Sequence, residues 1–595
     1  MSRPALSSST LDPQQRSQAI PRLMEEDFDL LVIGGGITGA GVALDAASRG
    51  MKVALIEARD FAAGTSSRSS KLIHGGLRYL EMLDFALVRE ALAERHLLLT
   101  RIAPHLVKPV SFVHPLRHRI WERLYVGAGL VLYDTLAPKQ PLPRHRQLTR
   151  RQALRRVPSF RRDALIGAVE YHDAQTDDAR FVLTAVRTAA LHGAVVARSV
   201  EATGLVRAGG RVVGITAVDR ETGRTFVVSA RQTVNATGVL SDRLQRSDGG
   251  RMTLGVRASK GVHLVVPRDR INSETGLILR TEKSVLFVIP WDRHWIVGTT
   301  DTDWDLDPAL PAASASDVDY LLDHVNGVLS PPLERADVTG IYVGLRPLVA
   351  AGTGSTAKLS RRHAVMQPVP GLITVAGGKF TTYRIMARDA VDAADPTGAF
   401  PASCTNSTPL FGAEGVQAER NRCAALARQG GLDEEQMRRV LARYGSATQE
   451  LLRLLSSRPE LATPLAGGEP YLSAEVVYAV THEGALHLED VLARRTHLKI
   501  ETADHGTESA AGVVRLMGDE LGWDTERRAA ELHCYLAQVE AEDSASGEPD
   551  DASAFAARQK SDDIYELITS GQEKQDMHRS RNSAAAAQPG GPVAR

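Results

Sequence analysis

The hydrophobic and polar positions divide the chain into stretches of different rhythm. From Asp27 to about Ala387, short β-rich apolar runs alternate with helical stretches. Phe28-Asp-Leu-Leu-Val-Ile33 is such a run, and it ends in Gly34-Gly35-Gly36-Ile37-Thr38-Gly39. Ala40-Gly-Val-Ala-Leu-Asp-Ala-Ala-Ser48 follows with helical composition, so the order strand, tight turn, helix is expected. Lys52-Val-Ala-Leu-Ile-Glu57 reads as the next strand. Arg211 to Val218 and Arg224 to Ala230, joined through Glu221-Thr222-Gly223, read as a β-hairpin. Gly261 to Pro267, Val285 to Pro290 and Trp295 to Thr300 read as strands forming the floor of a substrate domain. Beyond about Thr408, Leu, Ala, Arg and Glu recur at helical spacing, as in Glu435 to Tyr444, Ser446 to Leu455 and Glu508 to Leu521. The expectation is a mixed α/β and α+β body over residues 27–400 and a helical domain over 401–540. Residues 1–26 and 541–595, rich in small and polar side chains, are expected to be disordered.

A chain of 595 residues suits two folded domains with tails, and 43% hydrophobic content with 24% charge is ordinary for a globular protein. Lys plus Arg and Asp plus Glu both number 71, so the overall balance does not indicate a nucleic-acid binder. Cys404, Cys423 and Cys534 are too few and too scattered for a disulfide framework or a metal site, and no metal is expected. The N-terminus lacks the apolar core of a secretory signal, and no apolar run is long enough to span a bilayer. A cytoplasmic setting fits these features.

The first strand, turn and helix carry chemistry. Gly34, Gly36 and Gly39 permit a tight turn, close approach of a pyrophosphate to backbone, and helix-on-strand packing, with the helix N-terminus facing negative charge. Glu57, about 20 residues on, ends the second strand where a carboxylate can accept hydrogen bonds from ribose hydroxyls. This is a Rossmann-type dinucleotide site. The pattern alone does not separate FAD from NAD. The later strand Val234-Asn235-Ala236-Thr237-Gly238 favours FAD, because a sheet completed far downstream is typical of flavoproteins with two dinucleotide-binding folds.

Thr65-Ser-Ser-Arg-Ser-Ser-Lys-Leu-Ile-His-Gly-Gly-Leu-Arg-Tyr-Leu80 resembles the FAD-dependent, quinone-linked glycerol-3-phosphate dehydrogenase family. Glu170-Tyr-His-Asp173, Asp177-Asp-Ala-Arg180, Lys260-Gly-Val-His263, Phe287-Val-Ile-Pro-Trp291, Gly298-Thr-Thr-Asp301, Gly344-Leu-Arg-Pro347 and Gly377-Gly-Lys-Phe-Thr-Thr-Tyr-Arg384 extend the likeness over roughly residues 27–390, with weaker similarity to about 538. The resemblance implies a Rossmann-type FAD-binding domain interleaved with a β-rich substrate domain. It also implies hydride transfer from C2 of glycerol 3-phosphate to flavin N5, with electrons passed to a membrane quinone. Flavin contacts would fall at Gly34, Gly36, Ile37, Gly39, Glu57, Thr65, Ser66, Lys71, Leu72, Gly238, Gly378, Phe380, Thr381 and Thr382.

Arg78, Arg361, Lys379 and His263 are the candidates for substrate binding, with Arg suited to bidentate phosphate contact and Lys to a point charge. His74, in a glycine-flanked turn, is the first candidate for general base; a hydrogen bond to backbone or flavin is its alternative role. His263 is the second candidate, with a satisfied core histidine as the other reading. Arg346 suits orientation of the substrate and stabilisation of alkoxide charge, a duty Tyr79 can share. The chain departs from the family pattern at Gly64, where many relatives carry Ala, and at Val239-Leu240, where Pro-Trp is commoner.

Arg117-His-Arg-Ile-Trp-Glu-Arg-Leu-Tyr-Val-Gly-Ala-Gly-Leu-Val-Leu-Tyr133 combines cations with Trp121, Leu124 and Tyr125. Such a helix can lie in the headgroup region of an anionic lipid surface or pack on the domain core. The former makes the protein peripheral on the inner face of the cell membrane. A glycerol-3-phosphate oxidase using oxygen, a flavin amine oxidase, and a catalytically silent flavin- or membrane-binding module are the competing functions. A homodimer is compatible with the helical domain.

Overall fold

The computed structural model describes residues 9–568 apart from 77, 119–120, 138–141, 247–254, 283–284 and 350–362. Its first sheet has the strand order His363–Val369, Leu372–Gly377, Thr225–Asn235, Phe28–Ile33, Val53–Glu57, Val195–Arg198. Phe28–Ile33 runs parallel to both neighbours, with Leu30 opposite Val53 and Ile33 opposite Asn235. Alternate side chains serve two cores, as a parallel sheet covered on both faces requires. Leu30 and Val32 meet the helices Ile37–Ser48, Asp178–Leu191 and Tyr383–Ala394. Leu31 and Ile33 meet the hairpin and the N-terminal helix.

The expected hairpin forms, with Thr225 opposite Val218. Its second arm does more than the pattern suggested. Thr225–Asn235 is antiparallel to Arg211–Asp219 in its first half and joins the parallel sheet in its second, so one strand links both structures. A second, mostly antiparallel sheet contains Val256–Pro267, Val285–Trp291 and His294–Gly298, which hold the predicted strands except that the last ends before Thr299 and Thr300. Gly340–Val349 lies against Val256–Pro267 and places Arg346 opposite Ser259 and Tyr342 opposite His263.

Both tails depart from the expectation of disorder. Pro13–Glu25 is a helix: Asp12 accepts a hydrogen bond from the Gln15 amide, Pro13 opens the first turn, and Ala19, Ile20 and Leu23 are buried against the first sheet. Its apolar stripe is short, so bulk composition hid it. At the other end, Thr525–Gly547 is one helix and Asp551–Arg558 another, capped by Asp550. Ala554, Ala557 and Phe555 pack with Trp304 and Leu345. The chain is therefore ordered well past 541, and the rest of the expected tail, 569–595, lies outside the described residues.

The helical domain has its own apolar core and is joined to the first sheet by buried ion pairs. Asp60 meets Arg494 at 2.6 Å and Arg495 at 2.5 Å, Arg180 meets Glu483 at 2.6 Å, and Asp177 meets His497 at 2.7 Å. Among the described residues no helix is long and apolar enough to cross a membrane.

Candidate functional site

The glycine turn fits a dinucleotide by its steric demands. A Cβ on Gly39 would lie 1.8 Å from the Gly34 carbonyl oxygen, and one on Gly34 would lie 2.8 Å from that of Ala236. Gly34 also has φ +107°, a conformation suited to glycine. Gly36 caps Ile37–Ser48 with no side chain of its own, which lets an anion approach the helix N-terminus closely. The Ile37 amide donates to Ser66 Oγ at 3.0 Å, so the predicted contacts Ile37 and Ser66 meet. Glu57 accepts from the Gly35 amide at 2.6 Å and the Arg59 amide at 2.9 Å. Burial pushes its carboxyl pKa up against these bonds. Pinned there, the carboxylate retains lone pairs for a ribose. These residues fit FAD.

Thr65 links this loop to the chemistry, because its hydroxyl donates to the Leu345 carbonyl at 2.6 Å, next to Arg346. Gly238 follows the end of Thr225–Asn235, at φ +60° and with open space on its Cβ side. Two other assignments change. The Lys71 ammonium is wholly buried and 2.5 Å from Asp178, and the Leu72 side chain lies in a hydrophobic core. Neither side chain is free for a cofactor, so any contact they make goes through backbone.

Of the remaining predicted residues, His74, Tyr79, Lys379, Phe380, Thr381 and Thr382 gather at one end of Ser70–His74 and His263 and Arg346 at the other, at most about 14 Å apart along an extended chain. At the His74 end, its amide donates to Thr381 Oγ1 at 3.1 Å. The Lys379 ammonium lies 3.7 Å from the centre of the Tyr79 ring, a cation–π arrangement. Gly378, at φ +79°, turns the chain just before Lys379, and Phe380 packs edge-on against Phe181. Thr382 is buried beside Thr381. Arg78 begins a short helix, but its side chain lies outside the described residues, as does all of Arg361.

At the Ser70 end, Ser70 Oγ is 2.8 Å from His263 Nε2, and the His263 ring stacks on Tyr342 at 4.7 Å. His263 Nδ1 is buried with no hydrogen-bond partner among the described residues. Burial, then the nearby charges of Arg346 and Lys71, holds this imidazole well below the usual range, which keeps it neutral. Arg346 donates to Ser259 Oγ at 3.3 Å, Thr299 Oγ1 at 3.1 Å and the Thr300 carbonyl at 3.2 Å, and lies 3.6 Å from Asp301.

Several supports of this site were missed as such in the sequence. Asp178 gathers Ser69 and Lys71, so the Asp177-Asp-Ala-Arg180 motif anchors the loop. Asp173, in Glu170-Tyr-His-Asp, holds Arg95 and the Tyr133 hydroxyl beneath the His74 turn. Buried Lys260 is paired with Asp317 and with Asp551 of the C-terminal segment. The motifs themselves were the available signal; their supporting role needed the tertiary partners.

Comparison with known proteins agrees with this geometry. Residues 29–393 match the model of the FAD dependent oxidoreductase family, and 403–528 match the C-terminal domain of alpha-glycerophosphate oxidase. The glycerol-3-phosphate dehydrogenase of Mycobacterium leprae is 51% identical over 554 residues, covering 93% of this chain and 94% of its own. The human mitochondrial glycerol-3-phosphate dehydrogenase is 37% identical over 542 residues, covering 87% and 74%. The glycerol-3-phosphate dehydrogenase from Bacillus halodurans, solved in complex with FAD, superposes with a TM-score of 0.74 at 30% identity, covering 89% of this chain and 98% of its own.

Proposed function

The chain belongs to the family of FAD-dependent glycerol-3-phosphate dehydrogenases, and from that premise we propose that it converts sn-glycerol 3-phosphate to dihydroxyacetone phosphate and delivers the electrons to a membrane quinone. The observation that carries this reading is the convergence of Lys379 with Tyr79 and of Arg346 with His263 on the two ends of Ser70–His74, beside the glycine turn. When bound, FAD supplies the acceptor for the C2 hydride at N5 and the route by which electrons leave. Gly34, Gly36 and Gly39 would hold its pyrophosphate and Glu57 its ribose.

The side chains divide the remaining work. Lys379, with Tyr79 beneath it, takes the substrate phosphate, and the resemblance adds Arg78 and Arg361. Arg346, fixed by Ser259, Thr299 and Asp301, orients the C2 oxygen and stabilises negative charge on it. His263, neutral and with Nδ1 unpartnered, supports its assignment as proton acceptor in preference to His74. His74 then shapes the turn through Thr381.

The aromatic and aliphatic side chains exposed along Trp121–Leu136 support peripheral attachment to the inner face of the cell membrane, where a quinone dissolves. We place the boundary between the catalytic body and the helical domain near residue 400. Anaerobic addition of glycerol 3-phosphate should bleach the oxidised flavin promptly, and far more slowly after Arg346→Ala. No bleaching would refute the assignment. Peroxide release in place of reduction of a quinone analogue would instead make the protein an oxidase.

A further inference from the structure

Between the Ser67–Arg68 loop, the strand Gly340–Val349 and the helical domain lies a cavity of about 240 Å³. That is roughly eight times the ~30 Å³ share of a water in the liquid. None of His74, Tyr79, Lys379 or Arg346 lines it. Its floor is apolar, with Ala312, Ile341 and Val343, and its walls carry Arg68, Arg335, Arg494, Lys499 and Arg558 against Glu489, Glu542 and Asp543, the last 3.0 Å from His505.

The charges in these walls do not cancel. Lys499 and Arg558 share Glu542 at 3.0 and 2.7 Å, Lys499 also reaches Glu489 at 3.5 Å, and Arg494 is turned back onto Asp60 and Asp490. The Arg68 guanidinium makes no hydrogen bond or close ion pair to the described residues, and burial lowers its pKa against the more distant attraction of Glu489 and Glu542. Arg558 is only 8% exposed, and its Nη1 is buried without a hydrogen-bond partner among the described residues. Two guanidinium groups with donors not taken up by the described residues therefore line the same cavity, in the planar form that grips oxyanions.

We propose that this cavity is a second anion site that takes a small phosphorylated metabolite, its phosphate between Arg68 and Arg558 and its carbon skeleton over Ile341 and Val343. A bare inorganic ion would leave most of the volume unfilled. Arg335, whose Nη1 donates to the Ser546 carbonyl at 3.4 Å, sits at the half-exposed rim. Arg558 lies beyond the 403–528 stretch, so the site is completed by the C-terminal segment. It also has a path to the chemistry, because the Tyr342 hydroxyl donates to the Ser69 carbonyl at 3.0 Å while its ring stacks on His263.

Calorimetric titration of the FAD-loaded full chain tests this, with 3-phosphoglycerate, inorganic phosphate and malonate as probes. The Lys379→Met background removes the phosphate contact of the substrate site. There, 3-phosphoglycerate should still bind with one site, more tightly than inorganic phosphate or malonate. Arg558→Gln should weaken it at least tenfold, and so should Arg68→Gln, which breaks no native side-chain hydrogen bond or close ion pair. Flavin content and near-ultraviolet circular dichroism identify any variant that has not folded. Absence of binding in the Lys379→Met background, equal binding of malonate, or indifference to both substitutions in folded protein would overturn the proposal.

Discussion

The Tyr133 hydroxyl accepts the Gly75 amide hydrogen at 2.9 Å and donates to Asp173, tying the exposed helix Trp121–Leu136 to the turn that carries His74. Tyr133→Phe removes both bonds inside a buried site and leaves the Gly75 amide only its long 3.4 Å bond to Asp173 Oδ1, and an ill-satisfied buried polar group costs about 1–3 kcal/mol. The turn is expected to loosen, lowering kcat/KM for glycerol 3-phosphate by about tenfold, since misplacement of about 1 Å can cost a hundredfold. Steady-state kinetics on FAD-replete protein would measure this. An unchanged kcat/KM would mean that Tyr133 supports only the helix.

Gly39→Ala has no steric escape, because its methyl group would meet the Gly34 carbonyl, which is backbone. The turn must open, and the approach of the pyrophosphate is lost with it. Purified protein should be largely colourless, with most of the flavin absorbance missing even after incubation with FAD. Stoichiometric FAD in a folded Gly39→Ala protein would contradict this account of the turn.

His263 makes a pH prediction. A proton acceptor works only when neutral, and burial together with Arg346 and Lys71 keeps this imidazole neutral well below the usual range. An unperturbed histidine loses function as pH falls through about 6.5. The kcat/KM profile should therefore stay level from pH 8 through 6.5, with its acid limb displaced downward. His263→Gln should lower kcat by at least about a hundredfold, the lower range of general-base effects. His74→Gln should lower it less. An acid limb near 6.5 that vanishes in His74→Gln would return the role to His74.

Local pattern carried most of the dinucleotide site. The strand, glycine turn and Glu57 lie within thirty-odd residues, and their spacing is dictated by the ligand and by backbone sterics. The substrate end was legible only through its motifs, because strand pairing brings His263 and Arg346 to one end of Ser70–His74 and a late turn brings Lys379 to the other. Lys71 shows the limit of that reading. Its motif suggested flavin contact, yet the fully buried ammonium needs a counter-ion, and Asp178, over a hundred residues away, supplies it. The N-terminal helix is masked by the polar composition of the segment as a whole, although Asp12-Pro13 is a helix-start pair.

Asp60 holds the helical domain to the first sheet. Burial alone would raise its pKa, but Arg495 and Arg494 override it and bring the carboxyl down to about 2 from 3.8. The unfolded chain thus binds this proton at a higher pH than the folded one. Its contribution to stability is full above about pH 4 and fades as pH falls toward 2. Asp60→Asn leaves two buried guanidinium groups short of a counter-charge, a loss on the order of 3–5 kcal/mol. Urea unfolding at pH 7 should show an earlier transition, and the difference from the parent should shrink in acid. Coincident unfolding curves at pH 7 would remove Asp60 from this role.

The helix Trp121–Leu136 gives the lipid prediction a sharper form than its sequence did. Arg123 is directed inward, with Nη2 3.5 Å from the Leu148 carbonyl, and Arg119 lies outside the described residues. What the surface presents is apolar: Leu124 is 68% exposed, Trp121 56% and Val131 55%, and Leu83 on a neighbouring segment is 72% exposed. Side chains of this size are unfavourable in water at about 25 cal/mol per Å² of apolar area, so their burial in the headgroup boundary favours attachment. Co-sedimentation with liposomes should therefore persist on zwitterionic lipid and fall only modestly with salt. Trp121→Ala with Leu124→Ala should reduce it more than Arg117→Gln, which removes a single exposed cation. Binding that needs anionic lipid and vanishes with salt would reverse the order of these contributions, and absence from the pellet in every lipid would remove membrane attachment from the proposed function.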